Sequence, residues 1–170
     1  DPCNRCHGTG RGKSNRTVQA RIPAGVKDGT KIRLKGKGGP GENGGPGGDL
    51  FVKVSVKAHP LYERKGDNLS VEVPVTFAEA ALGADIAIPV PRGGTVNMRI
   101  PAGTTSGRTF RIKGKGVRGK DGKNHDVLAV IDVAVPQNLT EEAKTALAAF
   151  AEATIDQDPR KDIYALGAKS

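Results

Sequence analysis

The sequence contains one segment twice. Residues 21–38 read RIPAGVKDGTKIRLKGKG and residues 99–116 read RIPAGTTSGRTFRIKGKG, with eleven identical residues in eighteen positions. Two unrelated segments of this length share about one residue at ordinary amino-acid frequencies. A repeat of this period indicates that one folding unit occurs twice. The chain is therefore expected to contain two small domains of the same kind, and its function should follow from what one unit does and what a second copy adds.

The repeat extends beyond these eighteen residues. In each copy a loop follows the shared segment, and an alternating apolar stretch comes next, at 50–56 in the first copy and at 127–135 in the second. The pair Asp49-Leu50 matches Asp126-Val127 at a shift of 77 positions, whereas the shared segment is shifted by 78. One residue is therefore missing from the second loop, and the two strands that follow are expected to be equivalent.

Composition favours short strands joined by turns. The chain has 24 glycines, 11 prolines and no tryptophan, and aromatic residues make up only 4% of it. Glycine and proline interrupt regular structure, while several short runs alternate apolar and polar residues as half-buried strands do. Strands are predicted at 17–22, 30–35, 50–56, 69–75, 85–90, 95–100, 110–113 and 127–135.

Helices are predicted at two places. A short helix is expected at 77–82, where Gly83 is placed to end it. A longer one is expected at 140–154, where Thr140 is a suitable N-cap residue. The stretch HPLYERKGDN at 59–68 is predicted to be a helical turn or loop, and the tail at 155–170 to be disordered.

The chain is strongly basic, with a formal net charge of +9 at pH 7. A basic surface can bind nucleic acid, but here the charge is spread along the chain and few aromatic residues are present for base stacking. A solvated surface is therefore favoured, nucleic acid is an unlikely partner, and nucleic-acid binding is kept as the alternative function. No run approaches the ~20 apolar residues that cross a bilayer, so no membrane partner is expected.

Residues 3–10 read CNRCHGTG, in which two cysteines stand two residues apart. Cys3 and Cys6 can share one tetrahedral zinc ion, of which they supply half of the ligands. A redox pair and, with His7, a haem-attachment string are alternatives, but the sequence around them is typical of neither. Gly12-Lys13-Ser14 resembles the end of a phosphate-binding loop, but His7 stands where that loop needs its first glycine.

The two cysteines also bear on location. They are too few and too close together for the disulfide framework of a small secreted protein, so a reducing, cytoplasmic location is predicted. Because the chain begins at Asp1 within a cysteine-rich motif, it is expected to be a fragment of a longer protein whose missing residues complete the zinc site.

Nothing in the sequence indicates catalysis. The chain has three scattered histidines and neither a Ser/His/Asp set nor paired carboxylates in a plausible site. The glycine-rich, basic repeat could cradle a phosphate, but a structural turn and strand is favoured, with apolar side chains pointing inward. The chain is therefore predicted not to be an enzyme.

The predicted C-terminal helix has an apolar stripe. Ala143, Leu147, Phe150 and Ala151 recur at helical spacing and share one face. This face could close the core of the second unit, or it could form a small homodimer interface.

Taken together, these motifs resemble a known family. CNRCHGTG is similar to the last cysteine-rich repeat of DnaJ-type co-chaperones, and VQARIPAGVKDGTKIRLKGKG, GGPGGDLFVKVSVKAHPLYERKGDNL and FAEAALGADIAIPV resemble the C-terminal domains of a bacterial DnaJ. The resemblance implies an all-β fold with two tandem β-sandwich-like domains and a C-terminal dimerisation helix. The implied division is a zinc-region remnant at 1–15, domain I at 16–68, domain II at 69–137, the dimerisation helix at 138–154 and a tail at 155–170.

The resemblance also implies a function. Such a stress-response chaperone binds unfolded or misfolded polypeptide clients, prevents their aggregation and delivers them to a DnaK-type ATPase. It implies zinc as the cofactor of the intact protein, held in part by Cys3 and Cys6, and a homodimer formed through Ala143, Leu147 and Phe150. Because the J-domain is not in this chain, the chain is not expected to stimulate the ATPase by itself.

The resemblance places the client site in the first domain. A chaperone of this kind needs a shallow apolar depression beside an exposed strand edge, where the backbone of an extended peptide can form hydrogen bonds. The residues predicted to line it are Ile32, Leu34 and Tyr62, with Leu50 and Val52 nearby. The second domain is expected to position the first and to lead to the dimerisation helix.

Overall fold

The computed structural model describes residue 4, residues 15–41 and residues 44–168. Within these residues the chain is built mostly of strands, in the order β1 (Lys31–Leu34), β2 (Leu50–Lys53), β3 (Tyr62–Lys65), β4 (Asn68–Thr76), α1 (Phe77–Leu82), β5 (Ala84–Pro89), β6 (Thr95–Ile100), β7 (Thr109–Ile112), β8 (Val127–Ala134), α2 (Glu141–Ala153) and α3 (Lys161–Gly167). The predicted all-β class is confirmed.

The strands form three sheets. β1 and β2 make an antiparallel hairpin, β5 and β6 make a second antiparallel pair, and the remaining strands form a four-stranded sheet in the order β3-β4-β8-β7. Within that sheet β4 and β8 run parallel, while both outer strands run antiparallel to their neighbours. The hairpin is the sheet of the first unit in the described residues, and the other two sheets belong to the second.

The core lies between the four-stranded sheet and the β5–β6 pair. Every second residue of the central strands points to the same face, so the strands contribute alternating apolar side chains to one buried cluster. Ile88 and Ile100 close this cluster from the β5–β6 side and are fully buried. The buried apolar residues are Val71, Val73, Val75, Ala80, Ile88, Ile100, Ile112, Val127, Ala129 and Ile131.

The duplicated segment adopts the same strand pairing in both units. In the first, Leu34 lies opposite Leu50 and Ile32 opposite Val52. In the second, Ile112 lies opposite Val127 and Phe110 opposite Ala129. The first strands are related by a shift of 78 positions and their partners by 77, which confirms that the second loop is one residue shorter.

Both predicted helices and most predicted strands are present. Thr140 caps α2 by accepting a hydrogen bond from the backbone amide of Ala143 at 3.1 Å. Thr76 and Glu79 cap α1 reciprocally in a capping box, and Gly83 ends it with a φ of 82°. None of the helices in the described part of the chain is long and apolar enough to cross a membrane.

Three local predictions are wrong. Residues 17–22 form no regular strand, and residues 59–68 contain β3 and a tight turn rather than a helical turn or loop. In β3 the inward positions are Tyr62 and Arg64, and the arginine hides the apolar alternation that would have indicated a strand. The tail, predicted to be disordered, contains the short helix α3, whose residues are all exposed.

Candidate functional site

The β1–β2 hairpin gathers four of the five predicted client-binding residues on one face. Ile32 and Leu34 of β1 lie directly opposite Val52 and Leu50 of β2, and all four side chains are half-buried. Cross-strand neighbours on one face stand about 5 Å apart, so the four form a continuous apolar strip, called here the hairpin face. This grouping follows from the period of two in both strands.

The opposite side of the hairpin is charged. Lys31 lies across from Lys53, and Arg33 lies across from Phe51, with all four side chains exposed. Of these, only Phe51 is apolar, and 61% of its surface is exposed. The hairpin therefore separates an apolar face from a cationic one.

Asp49 fixes the end of the hairpin. Its Oδ1 accepts a hydrogen bond from the amide of Gly36 at 2.8 Å, and its Oδ2 forms an ion pair with Arg33. The hydrogen bond from Gly36, followed by the one from Arg33, lowers the pKa of the Asp49 carboxyl from its ordinary value. The carboxylate therefore holds the turn that follows β1 against the start of β2.

The second unit repeats this arrangement. Asp126 accepts a hydrogen bond from the amide of Gly114 at 2.9 Å and pairs with Arg111 at 3.4 Å. The same Arg, Gly and Asp in both copies therefore secure the hairpin and are part of the scaffold. This agrees with the interpretation of the repeat as a structural turn and strand.

The hairpin also offers backbone groups to a partner strand. In the described residues β1 and β2 pair only with each other, so the outer edge of each strand carries backbone N–H and C=O groups that no other strand takes. An extended peptide can add to such an edge through main-chain hydrogen bonds. The edges lie directly beside the hairpin face, and the two features together can hold an extended apolar segment.

Tyr62, the fifth predicted residue, lies on a different sheet. It stands on β3 opposite Val71 and packs against the core of the second unit. Its ring is 5.0 Å from that of His59, between centroids, and burial raises the pKa of the phenol. The five residues thus do not share one depression, because β3 pairs with β4 and not with the hairpin.

A cavity at the junction of the two units includes Tyr62. It has a volume of about 530 Å³ and draws its walls from both units. The sequence does not indicate this cavity, since its walls come from loops and strands that are distant along the chain. Its apolar lining includes Val26, Val56, Tyr62, Leu69, Pro91 and Val117.

The predicted zinc ligands Cys3 and Cys6 lie outside the described residues, so their role stays a prediction. Two thiolates supply half of a four-ligand structural zinc site, and no group of three His, Cys, Asp or Glu residues that could hold a metal occurs in the described ranges. The donor chemistry suits zinc only if further ligands come from elsewhere.

Comparison with known proteins identifies the family. Residues 7–136 match the family model of the DnaJ C-terminal domain. The chain belongs to this family. It is 54% identical over 164 residues to "Chaperone protein DnaJ 1" of Streptomyces avermitilis, which covers 96% of this chain and 41% of that protein. It is 56% identical over 178 residues to "Chaperone protein DnaJ 1" of Streptomyces coelicolor, covering 96% and 45%.

A relative of lower identity also bears the name DnaJ. "Chaperone protein DnaJ" of an Exiguobacterium species is 47% identical over 168 residues, covering 89% of this chain and 45% of that protein. The chain thus spans less than half the length of these curated relatives, and all three bear the name of a chaperone.

In this member of the DnaJ C-terminal domain family, α2 follows the residues matched by the family model. The ring of Phe150 in α2 stands edge-on to the ring of Phe77 in α1, with centroids 5.4 Å apart. No residue of α2 is buried, although Ala143 is half-buried. Leu147 is exposed beside Phe150. The helix therefore contacts α1 through this aromatic pair, while Leu147 and Phe150 of its apolar stripe are exposed.

Proposed function

We propose that this chain binds unfolded or misfolded polypeptides through the hairpin face and the strand edge beside it, as the client-binding part of a DnaJ-type co-chaperone. The observation that carries this proposal is the pairing of Ile32 with Val52 and of Leu34 with Leu50 on one half-buried face. Membership of the DnaJ C-terminal domain family supports it, as do relatives that are named chaperones.

The proposed binding has two parts. Backbone groups of an extended client pair with the free edge of the hairpin, which is independent of the client's sequence. Apolar client side chains then leave water against Ile32, Leu34, Leu50 and Val52, a gain that is non-directional and scales with the apolar area buried. A site of this kind accepts many sequences and rejects compact folded proteins, whose strands and apolar side chains are already paired.

Delivery to a DnaK-type ATPase and homodimerisation complete the proposal. Two client sites in one dimer raise the overall affinity through effective concentration, even when each site is weak. The exposed apolar stripe of α2, with Leu147 and Phe150, is the proposed contact between two copies. Zinc, held in part by Cys3 and Cys6, is proposed as the cofactor of the longer protein, where it stabilises the cysteine-rich region.

The test is binding of an unstructured apolar peptide, followed by chemical shifts of the backbone amides, together with suppression of aggregation of an unfolded client. Leu34→Asp places a charge on the hairpin face and is expected to weaken binding at least tenfold, about 1.4 kcal/mol. Phe51→Asp introduces the same charge on the opposite side of the same hairpin and serves as the matched control.

The result that contradicts the proposal is equal binding by the wild-type chain and Leu34→Asp. Because a charge on this half-buried face can also unfold the hairpin, Val52→Thr provides a second variant of nearly the same shape, with a hydroxyl in place of one methyl group. It is expected to weaken binding by a smaller factor while the amide shifts of β1 and β2 stay in place.

A second candidate function rests on the cationic side of the hairpin. Lys31 and Lys53 are exposed directly opposite each other, an arrangement that repels unless an anion lies between the two charges. Nucleic acid is the candidate partner there. Its binding would fall steeply with salt concentration and would be lost in Lys31→Gln but kept in Leu34→Asp, which is the reverse of the pattern expected for a polypeptide client.

A further inference from the structure

The two copies of the RIPAG turn pack against different partners. In the second unit the turn rests on its own helix α1, where the amides of Gly103 and Thr104 donate to the carbonyls of Ala81 and Ala80 at 3.1 and 2.9 Å. In the first unit the equivalent turn, at Gly25 and Val26, accepts hydrogen bonds from the second unit. Among the described residues, one copy of the turn thus packs within its own unit and the other contacts the neighbouring unit.

Arg64 makes the contact between the units. It stands on β3, opposite Leu69 of β4, and is therefore part of the sheet of the second unit. Its Nη2 donates to the carbonyl of Gly25 at 3.0 Å and its Nη1 to the carbonyl of Val26 at 3.2 Å. Both hydrogen bonds are partly buried. Because guanidinium is planar and always charged, two adjacent carbonyls are held in one orientation.

The third nitrogen of Arg64 binds the side chain to the β3–β4 turn of the second unit. Its Nε donates to the carbonyl of Gly66 in the turn between β3 and β4 at 3.0 Å. The second unit therefore orients the guanidinium group that donates to the first unit. An arginine that is already oriented loses little further rotamer entropy when it forms the remaining bonds.

Close backbone packing accompanies these bonds. A Cβ atom added at Gly25 would lie 3.0 Å from the carbonyl oxygen of Arg118 and 3.2 Å from the Cα of Gly119, both in the second unit. Gly25 also has a φ of 70°, a conformation that side chains disfavour. Lys27 and Asp67 form an exposed ion pair across the same junction at 3.6 Å, which adds little stability by itself.

We infer that Arg64 and the Gly25 turn form a joint that holds the first unit at a fixed orientation to the second. The chain between β2 and β3, residues 54–61, contains no helix or strand and cannot set this orientation alone. The joint keeps the hairpin face at a constant orientation to the four-stranded sheet. This inference goes beyond client binding, and its test measures orientation only, so it stands or fails independently of the proposed function.

The experiment is measurement of residual dipolar couplings on the whole chain, with nuclear Overhauser contacts between Gly25 and Gly119. The wild-type couplings of β1–β2 and of the four-stranded sheet are expected to fit one alignment tensor, and the Gly25–Gly119 contact is expected to be seen. In Arg64→Gln the contact is expected to be lost and the two units to need separate tensors. Arg99→Gln, which removes an exposed arginine paired with Asp85 in the second unit, is the matched control.

Gly25→Ala tests the joint from the other side. Its added methyl group would lie closer to the backbone of Arg118 and Gly119 than ordinary contacts allow, at a backbone φ of 70° that side chains disfavour, so the units are expected to lose their common tensor with Arg64 unchanged. Gly25 lies in a turn, away from the buried core, so this variant keeps the test decisive if Arg64→Gln disturbs folding. A single tensor retained in both Arg64→Gln and Gly25→Ala, or separate tensors already in the wild type, would overturn the inference.

Discussion

Asp28 and Ser106 occupy the same position in the two copies and accept the same hydrogen bond. The carboxylate of Asp28 accepts from the amide of Val56 at 2.8 Å, and the hydroxyl of Ser106 accepts from the amide of Val133 at 3.2 Å. In each unit this side chain precedes the first strand and accepts a hydrogen bond from a residue near the end of the second strand, within β8 for Val133 and just beyond β2 for Val56. The repeat thus keeps a hydrogen bond while changing the residue that makes it.

Asp28→Ser is therefore expected to be tolerated, since the second unit already uses serine for the same bond. Asp28→Ala removes the acceptor and leaves the amide of Val56 without it, which should cost about 1 kcal/mol. Chemical denaturation, followed by amide signals of the hairpin, measures both changes. Equal destabilisation by the serine and alanine variants would show that the carboxylate charge, rather than the hydrogen bond, is what matters.

The hairpin should loosen in acid through Asp49. Its folded pKa is lowered by the Gly36 hydrogen bond and by Arg33, so the unfolded chain binds the proton more readily. The resulting stabilisation is fully present above the unfolded pKa, about 3.9, and is lost as pH falls through the lower folded value.

The amide shift of Gly36 is expected to follow this titration. Asp49→Asn should destabilise the hairpin at pH 7 and should remove the acid step. Asp28→Asn, which removes another carboxylate of the same unit, is the control and is expected to leave the titration of the Gly36 amide shift in place. An unchanged acid step in Asp49→Asn would assign that step to another group.

Burial predicts a large difference between two apolar residues of the second unit. Ile88 has no exposed surface, whereas 77% of Leu82 is exposed. Ile88→Ala leaves a cavity between the two sheets and should cost about 2–5 kcal/mol, while Leu82→Ala should change stability by less than about 0.5 kcal/mol. Thermal or chemical unfolding of the whole chain gives both values, and similar losses would contradict the burial of Ile88 and the exposure of Leu82.

The oligomeric state tests the proposed role of α2. Phe150→Asp is expected to convert a dimer into a monomer in sedimentation velocity, because it places a charge in the proposed apolar contact. Phe77→Ala removes the intrachain aromatic partner but leaves the stripe of α2 intact, so the dimer should remain. A wild-type chain that is monomeric at high concentration would rule out this interface.

The local elements followed from the sequence where a single period was clear. The alternation in β4 and β8, the Thr140 cap and the Gly83 helix end were all predictable, because each depends on neighbours in the chain. β3 was not, since Arg64 occupies an inward position that in an ordinary strand would be apolar. Its side chain is accommodated there because two carbonyls of the first unit accept its hydrogen bonds.

The candidate site was also predictable only in part. The grouping of Ile32 and Leu34 with Leu50 and Val52 could be predicted, because alternation and the hairpin register together determine it. The separation of Tyr62 from that group could not, because it depends on the pairing of β3 with β4 rather than with the hairpin. The sequence around Tyr62 does not indicate whether β3 pairs with β4 or with the hairpin.

The sequence by itself determined that one unit occurs twice, that both copies form the same turn and strand, and that the family is that of the DnaJ C-terminal domain. Tertiary structure alone decided how each copy of the turn is used. The same Pro-Ala-Gly backbone packs on α1 in the second unit and on Arg64 in the first. The physical reason is that identical local sequence sets backbone conformation, whereas the groups available to satisfy its carbonyls and amides come from residues distant in the chain.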